Sequence, residues 1–203
     1  MLEWGDVNPS TSDGYRHTPL FIAAWAGQEG MVKMLLERGD VNPNIVDYYG
    51  ETPLSRVACS GHERVVKILL EREDVNTNAV NRRGETPLYG AASGGHEGVV
   101  KILLERGDVN SSTANGVGKR PLFRAAYNGH EGVVKMLLER VNVDTCTVDK
   151  RGQTPLGIAS SSGHEGVVKL LLECAKVNLS TVDTLGRTPL FRATNNGEKV
   201  RKL

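Results

Sequence analysis

Four His-Glu pairs invite a chemical reading of this 203-residue chain: His62-Glu63, His96-Glu97, His130-Glu131 and His164-Glu165. A zinc hydrolase helix carries His-Glu-x-x-His, which sets two imidazoles on one helical face with the glutamate as base. Here the residue four after each histidine is a valine: Val66, Val100, Val134 and Val168. Successive histidines lie 34 residues apart, so they stand in a row and do not converge on one metal ion. The pattern predicts a loop residue that helps start the following helix. Cys59 lies three residues before His62, but no third group is in view to orient such a pair. No Gly-rich phosphate loop occurs; Gly94-Gly95 and Gly116-Val117-Gly118 read as helix-stop and turn glycines. The expectation is a non-enzyme with no catalytic residue, no metal, no cofactor and no small-molecule substrate.

The 34-residue interval is the stronger signal. Thr-Pro-Leu recurs at Thr18, Thr52, Thr86, Thr154 and Thr188, and Arg120-Pro121-Leu122 falls on the missing beat. A fixed period of this length means a solenoid, in which each unit buries its apolar face against its neighbours. The net charge of +1 gives no general argument for nucleic acid or a membrane surface. A basic stripe alone does not carry a nucleic-acid reading. No apolar run approaches the roughly 20 residues of a membrane span. Met1-Leu2-Glu3-Trp4 has none of the features of a signal peptide. Cys59, Cys146 and Cys174 are odd in number and read as reduced thiols. The expected setting is cytoplasmic, with the nucleus left open.

The unit beginning at Thr86 shows the elements behind this beat. Thr86 is placed as an N-cap and Pro87 as the first helical residue. Leu88, Ala91 and Ala92 face inward on a short inner helix, and Gly94-Gly95 stops it. An outer helix from about Glu97 carries Val99, Val100, Ile102, Leu103 and Leu104 as an apolar stripe. Gly107, like Gly39, is placed as a left-handed glycine just past that helix. Glu73, Val141 and Ala175 stand at the same position, where a left-handed conformation would cost each about 1 kcal/mol. Arg120 lacks a cap worth about 1 kcal/mol.

The order Asp149-Lys150-Arg151-Gly152-Gln153-Thr154-Pro155-Leu156, continuing to Val177-Asn178, resembles the ankyrin repeat. The resemblance runs through essentially the whole chain, and the wording Leu-Leu-Glu-Arg-Gly-Asp-Val-Asn-Pro is similar to arrays common in fungal proteins. It implies an all-α solenoid of helix-turn-helix units with projecting β-hairpin or loop fingers. The expected organisation is one array over 1–203: a repeat tail at 1–12, units starting near 13, 47, 81, 115 and 149, and a truncated unit at 183–203. Both ends fall mid-repeat, so the expectation is a piece of a longer array or multidomain chain. Three departures stand out. The period is 34 where the family's is usually 33, the extra length falls between Asn42 and Asp47, and Gly39-Asp40-Val41-Asn42 is one residue short. The family's histidine after Thr-Pro-Leu is Phe21, Ser55, Tyr89, Phe123, Gly157 or Phe191 here, which leaves open how neighbouring loops are tied.

The resemblance implies a protein partner on the concave face of fingertips and inner helices. Those positions hold Tyr15, Trp25, Tyr48, Tyr49, Arg82, Arg83, Lys119, Tyr127, Lys150, Arg151 and Arg187. The first third is aromatic and the rest is basic, while Glu37, Glu71, Glu105, Glu139 and Glu173 mark the ends of the outer helices. This fits an acidic protein segment with an apolar anchor. The alternative is a structural spacer within a larger receptor or scaffold. Arg56, Arg124 and Arg192 alternate with Ile22, Gly90 and Ile158 in a two-unit pattern. Asn42, Asn76 and Asn110 resemble a site of asparagine hydroxylation, although a turn asparagine bonding its own loop is the simpler reading. Arg120 and Val141 both fall in the fourth unit, so amide exchange should show that unit as the least protected. Its emergence as the best-protected unit would contradict this.

Overall fold

The computed structural model describes residues 8–140, 143–174 and 177–195. Thr-Pro punctuation builds the inner helices: α1 Pro19–Trp25, α3 Pro53–Ser60, α5 Pro87–Gly94, α7 Pro121–Asn128, α9 Pro155–Ser162 and α11 Pro189–Asn195. Each of Thr18, Thr52, Thr86 and Thr154 is extended, and its hydroxyl accepts from the backbone N–H three residues on. The proline at the first helical position loses no hydrogen bond there. Arg120 occupies the same extended position before α7 and makes no side-chain cap bond, as its type predicts. Gly61, Gly95, Gly129 and Gly163 then stop α3, α5, α7 and α9 in the left-handed conformation, with φ of 78°, 72°, 78° and 75°.

The outer helices are α2 Glu29–Leu36, α4 Glu63–Leu70, α6 Glu97–Glu105, α8 Glu131–Leu138 and α10 Glu165–Glu173. Inner helices stack on inner helices and outer on outer. Ala23, Ala24, Ala91, Ala92, Ala125 and Ala126 are fully buried on the inner stack, where small side chains permit close approach. Leu69, Leu103, Leu137 and Leu171 fill the layer between the stacks. Each contributes roughly 1.5–3 kcal/mol by leaving water. Among the described residues there is no strand; the fingers are tight turns.

Two local expectations are overturned. Gly39 and Gly107 do not adopt a left-handed conformation, and nothing crowds the space beside either. Glu73 is not left-handed either, so the cost expected there does not arise. Val141 and Ala175 lie outside the described residues. The carbonyl end of the outer helix is met from the next unit instead. The Arg106 Nη1 group donates to the Leu70 carbonyl at 3.0 Å, and the Arg72 Nη1 group to the Leu36 carbonyl at 3.5 Å and to the Val41 carbonyl in the loop beyond it at 3.2 Å. Each guanidinium is held in a fork by Asp108 or Asp74, whose carboxyl the arginine bond keeps below its ordinary range. A cation at a helix C-terminus also meets the negative end of the helix dipole.

The histidines do more than start a helix. His62, His96, His130 and His164 stand at the N-cap positions of the outer helices, where the backbone carbonyl accepts from the N–H four residues on but the side chain makes no cap bond. Each reaches back one unit. Their Nε2 atoms lie 3.2, 2.9, 3.0 and 2.8 Å from the carbonyls of Trp25, Cys59, Ser93 and Tyr127, to which an Nε2–H donates. The ring lies against the helix-stop glycine of the preceding unit: a Cβ on Gly95 would meet the His130 ring at 2.6 Å. Gly95→Ala should therefore destabilise by more than about 1 kcal/mol, from backbone strain plus displacement of that ring. Gly107→Ala, with ordinary backbone and open space, should stay within about 0.5 kcal/mol of the wild type. Urea unfolding of the two variants checks the contrast, and equal losses would contradict it.

Candidate partner-binding face

Every finger starts from an Asp or Asn that folds the turn onto itself. Asp149 Oδ1 accepts from the N–H groups of Arg151 and Gln153 at 2.8 and 3.0 Å, and Asn115 Oδ1 from those of Val117 and Lys119 at 3.1 and 2.9 Å. Asp13, Asp47, Asn81 and Asp183 do the same in their fingers. Neighbouring fingers are then joined by one backbone bond each. Tyr48 N–H donates to Tyr15 carbonyl, Arg82 to Tyr49, Gly116 to Arg83, Lys150 to Val117 and Thr184 to Arg151, at 2.8–3.1 Å. These bonds tie the loops without a histidine after Thr-Pro-Leu, and they set the tips in one row. Five of the six fingers turn on a left-handed glycine; Arg16, with φ 67°, takes that place in the first.

The first end of the row is aromatic. Tyr15, Trp25, Tyr48 and Tyr49 are all exposed. The His17 ring stacks on Phe21 with centroids 4.8 Å apart, and Trp25 meets Phe21 edge-on at 6.4 Å. The Arg56 guanidinium lies 4.1 Å over the Trp25 ring, and that of Arg82 lies 4.4 Å over Tyr48. Farther along, Lys119 is half-buried with its ammonium 5.3 Å from the Phe123 ring and 5.9 Å from the exposed Tyr127 ring. Arg124 approaches that tyrosine at 5.2 Å while its Nε donates to Ser93 Oγ at 3.0 Å. Arg56 and Arg124 were visible in the sequence only as an alternating pattern. Their role over Trp25 and Tyr127 needs the stacking of units to bring it out.

The predicted basic residues divide by their surroundings. Arg83, Lys150 and Arg151 are exposed at fingertips, and their side chains meet no carboxylate among the described residues. Arg187 is half-buried, and its Nε donates to Asp183 Oδ2 at 2.9 Å, so its charge is answered inside the finger. The column at the base of the fingers reads His17, Glu51, Glu85, Lys119, Gln153 and Arg187. Glu51 pairs with Arg56 at 3.4 Å, and Glu85 accepts from Asn81 Nδ2 at 3.2 Å. Carboxylates in that column are thus confined to the first three fingers, and the last three carry Lys119, Gln153 and Arg187.

The other chemically suggestive residues do not assemble. Cys59 is close to His62 in sequence, but the imidazole is bonded to the Trp25 carbonyl. Burial pushes the Cys59 thiol up and the Glu51 charge adds to this, the opposite of what a thiolate nucleophile needs. Among the described residues no three His, Cys, Asp or Glu side chains converge as a metal site, and no helix is long and apolar enough to cross a membrane. Asn42, Asn76 and Asn110 each accept an N–H of their own loop at 2.8–3.0 Å. What sequence reasoning missed is the next pair of asparagines. Asn44 Nδ2 donates to the Asp74 carbonyl and its Oδ1 accepts from Asn76 N–H; Asn78 does the same with Asp108 and Asn110. The extra finger length thus carries inter-unit bonds.

The family model for ankyrin repeats (3 copies) matches residues 1–81, 73–149 and 122–203. A search of the curated proteins finds no match.

Asp183 anchors the last described finger. Burial acts to raise its carboxyl. The N–H groups of Arg187 and Leu185 and the guanidinium groups of Arg192 and Arg187 outweigh that and hold it well below the ordinary carboxylate range. A depressed folded value means that the ionised form stabilises the finger. The contribution is full above about pH 4, the unfolded value, and is lost as pH falls through the lower folded value. The amides of Leu185 and Arg187 should therefore lose exchange protection below about pH 4. In Asp183→Asn they should be less protected at neutral pH and should lack that acid step. An unchanged acid step in the variant would assign it to other carboxylates.

Proposed function

The chain belongs to the ankyrin repeat family, and from that premise we propose that it is a non-enzymatic module that holds an acidic protein segment against its fingertips and inner helices. Ankyrin repeats generally mediate protein–protein interaction; the binding mode and the acidic partner are the finer reading. The observation that carries it is the row of uncommitted cations at Arg83, Lys150 and Arg151, beside the exposed rings of Trp25, Tyr48, Tyr49 and Tyr127. Arginine and large aromatics are the residue types that dominate interface energetics. Exposed fingertip cations with no internal carboxylate gain more from a partner's acid than Arg187, which already has one.

The units begin near residues 13, 47, 81, 115 and 149, and the binding row runs across them. An odd number of cysteines, three in the sequence, fits a reducing, cytoplasmic setting. If the array instead acts as a spacer in a larger receptor or scaffold, the same face carries no selective pressure for acidic ligands.

Display of random peptides against the whole chain should enrich Asp and Glu. Binding of the selected peptides should weaken at least about tenfold, or 1.4 kcal/mol, in Arg83→Glu/Lys150→Glu/Arg151→Glu. It should also weaken as salt rises, because these contacts are solvent-exposed. Selected peptides without acidic bias, or affinity indifferent to the triple reversal, would favour the spacer.

A further inference from the structure

We propose that the bound segment is extended, with about three residues per repeat unit, and that it is gripped by two aromatic posts, Trp25 and Tyr127, through bulky side chains nine positions apart. The inference rests on the acidic-segment reading and adds a conformation, a length and a register to it.

Trp25 and Tyr127 occupy the same position of the repeat, at the ends of their inner helices, three units apart. Both are 42% exposed. The equivalent residues between them are Cys59 and Ser93, and the one beyond is Ser161. Two large rings therefore bound a floor of small side chains. That floor is filled and satisfied. A Cβ on Gly90 would lie 3.3 Å from Cys59 Cβ, and the Ser93 carbonyl already accepts from Asn128 and His130. A ligand would lie across it without penetrating.

Both posts are held in place before binding. Trp25 is wedged between the Arg56 guanidinium, 4.1 Å from its centroid, and the rings of His17 and Phe21. Tyr127 stands between Arg124 and Lys119. Side chains fixed in advance lose little entropy on binding, and so return more of their contact energy as affinity.

The spacing selects the ligand's conformation. Packed helices stand roughly 8–10 Å apart, so three unit steps cover about 27 Å. A polyproline-II segment rises about 3.1 Å per residue with three residues per turn, or about 9.3 Å per turn. One turn thus matches one unit, and every third side chain points at the floor. Three units correspond to nine residues. An α-helix rises about 1.5 Å per residue and would need about eighteen residues to reach both posts. The intervening and flanking residues of an extended segment face the fingertips, where Arg82 and Arg83 stand on one finger and Lys150 and Arg151 on another. Acidic residues belong there.

The test uses the whole chain and four synthetic Glu/Pro/Ser peptides of equal length and composition. Each carries two leucines, at i and i+6, i+9, i+12 or i+18. The i+9 peptide should bind at least about tenfold more tightly than the others. Trp25→Ser and Tyr127→Ser place at each post the residue its repeat position carries in other units, which guards the fold; each should abolish the preference. The charge reversal at Arg83, Lys150 and Arg151 should weaken all four together. Equal affinities that all fall on charge reversal would remove the two posts and leave the acidic-segment reading standing. Tightest binding at i+18 would replace the extended ligand with a helical one. No binding by any peptide would overturn both readings.

Discussion

The bond from each Gly-His imidazole to a carbonyl of the preceding inner helix fixes how one unit sits on the next. It joins a ring at the start of one outer helix to the end of the inner helix a unit earlier, as with His96 and Cys59. The ring can reach only because the intervening stop residue is a glycine, both for its left-handed backbone and for the missing Cβ. A single such bond contributes on the order of 1 kcal/mol. Its geometric effect is larger than that. It recurs at one spacing across four interfaces, alongside the finger-to-finger backbone bonds and the asparagine bridges from Asn44 and Asn78. Burial of Ala-Ala pairs and leucines supplies most of the stability, but apolar packing is weakly directional. The directional bonds set the register in which that burial occurs.

That register decides which residues are free to bind. Anything in the stacking contacts is held to a narrow set of types. Residues at finger tips and on the open side of the inner helices are not, and there the chain moves from Tyr15, Tyr48 and Tyr49 to Arg83, Lys150 and Arg151. The same register pairs cations with rings across units: Arg56 lies over Trp25 of the unit before, and Arg82 over Tyr48 of the neighbouring finger. Such pairs hold the aromatic side chains upright while leaving an exposed edge.

Features confined to one unit were legible in the sequence. The Thr-Pro caps, the glycine stop after each inner helix and the missing cap at Arg120 all follow from residues within a few positions of each other. The features misread or missed depend on a partner about a repeat away. Gly39 follows an apolar periodic segment, as a left-handed stop would, but the Leu36 carbonyl at the end of that helix is met by Arg72 of the next unit, as the Leu70 carbonyl before Glu73 is met by Arg106. The histidines look like helix starters locally, and their partners lie 37 residues back. The proposed binding row was legible as a list of positions. Its division was not, because Arg151 and Arg187 look alike until Asp183 is seen to hold one of them.

The face is polar along its length as well as across it. Glu51 and Glu85 stand at the base of the early fingers, and Lys119 and Arg187 at the same column in later ones. Glu51 turns its charge toward Arg56, which in turn covers Trp25, so the early carboxylate is used to position a cation over a ring. Among the described residues no carboxylate pairs with Arg83, although it shares a finger with Glu85, or with Lys150 and Arg151 farther along. A segment with both apolar and acidic residues would therefore bind in one direction better than the other. Its acids gain most over the later fingers, and its free apolar surface gains most over Tyr15, Tyr48 and Tyr49. Steering by exposed charge acts on encounter and orientation, while desolvated aromatic contacts act on dissociation. On the proposed binding, the two ends of this row would serve different stages of one event: capture at the cationic end and retention at the aromatic end.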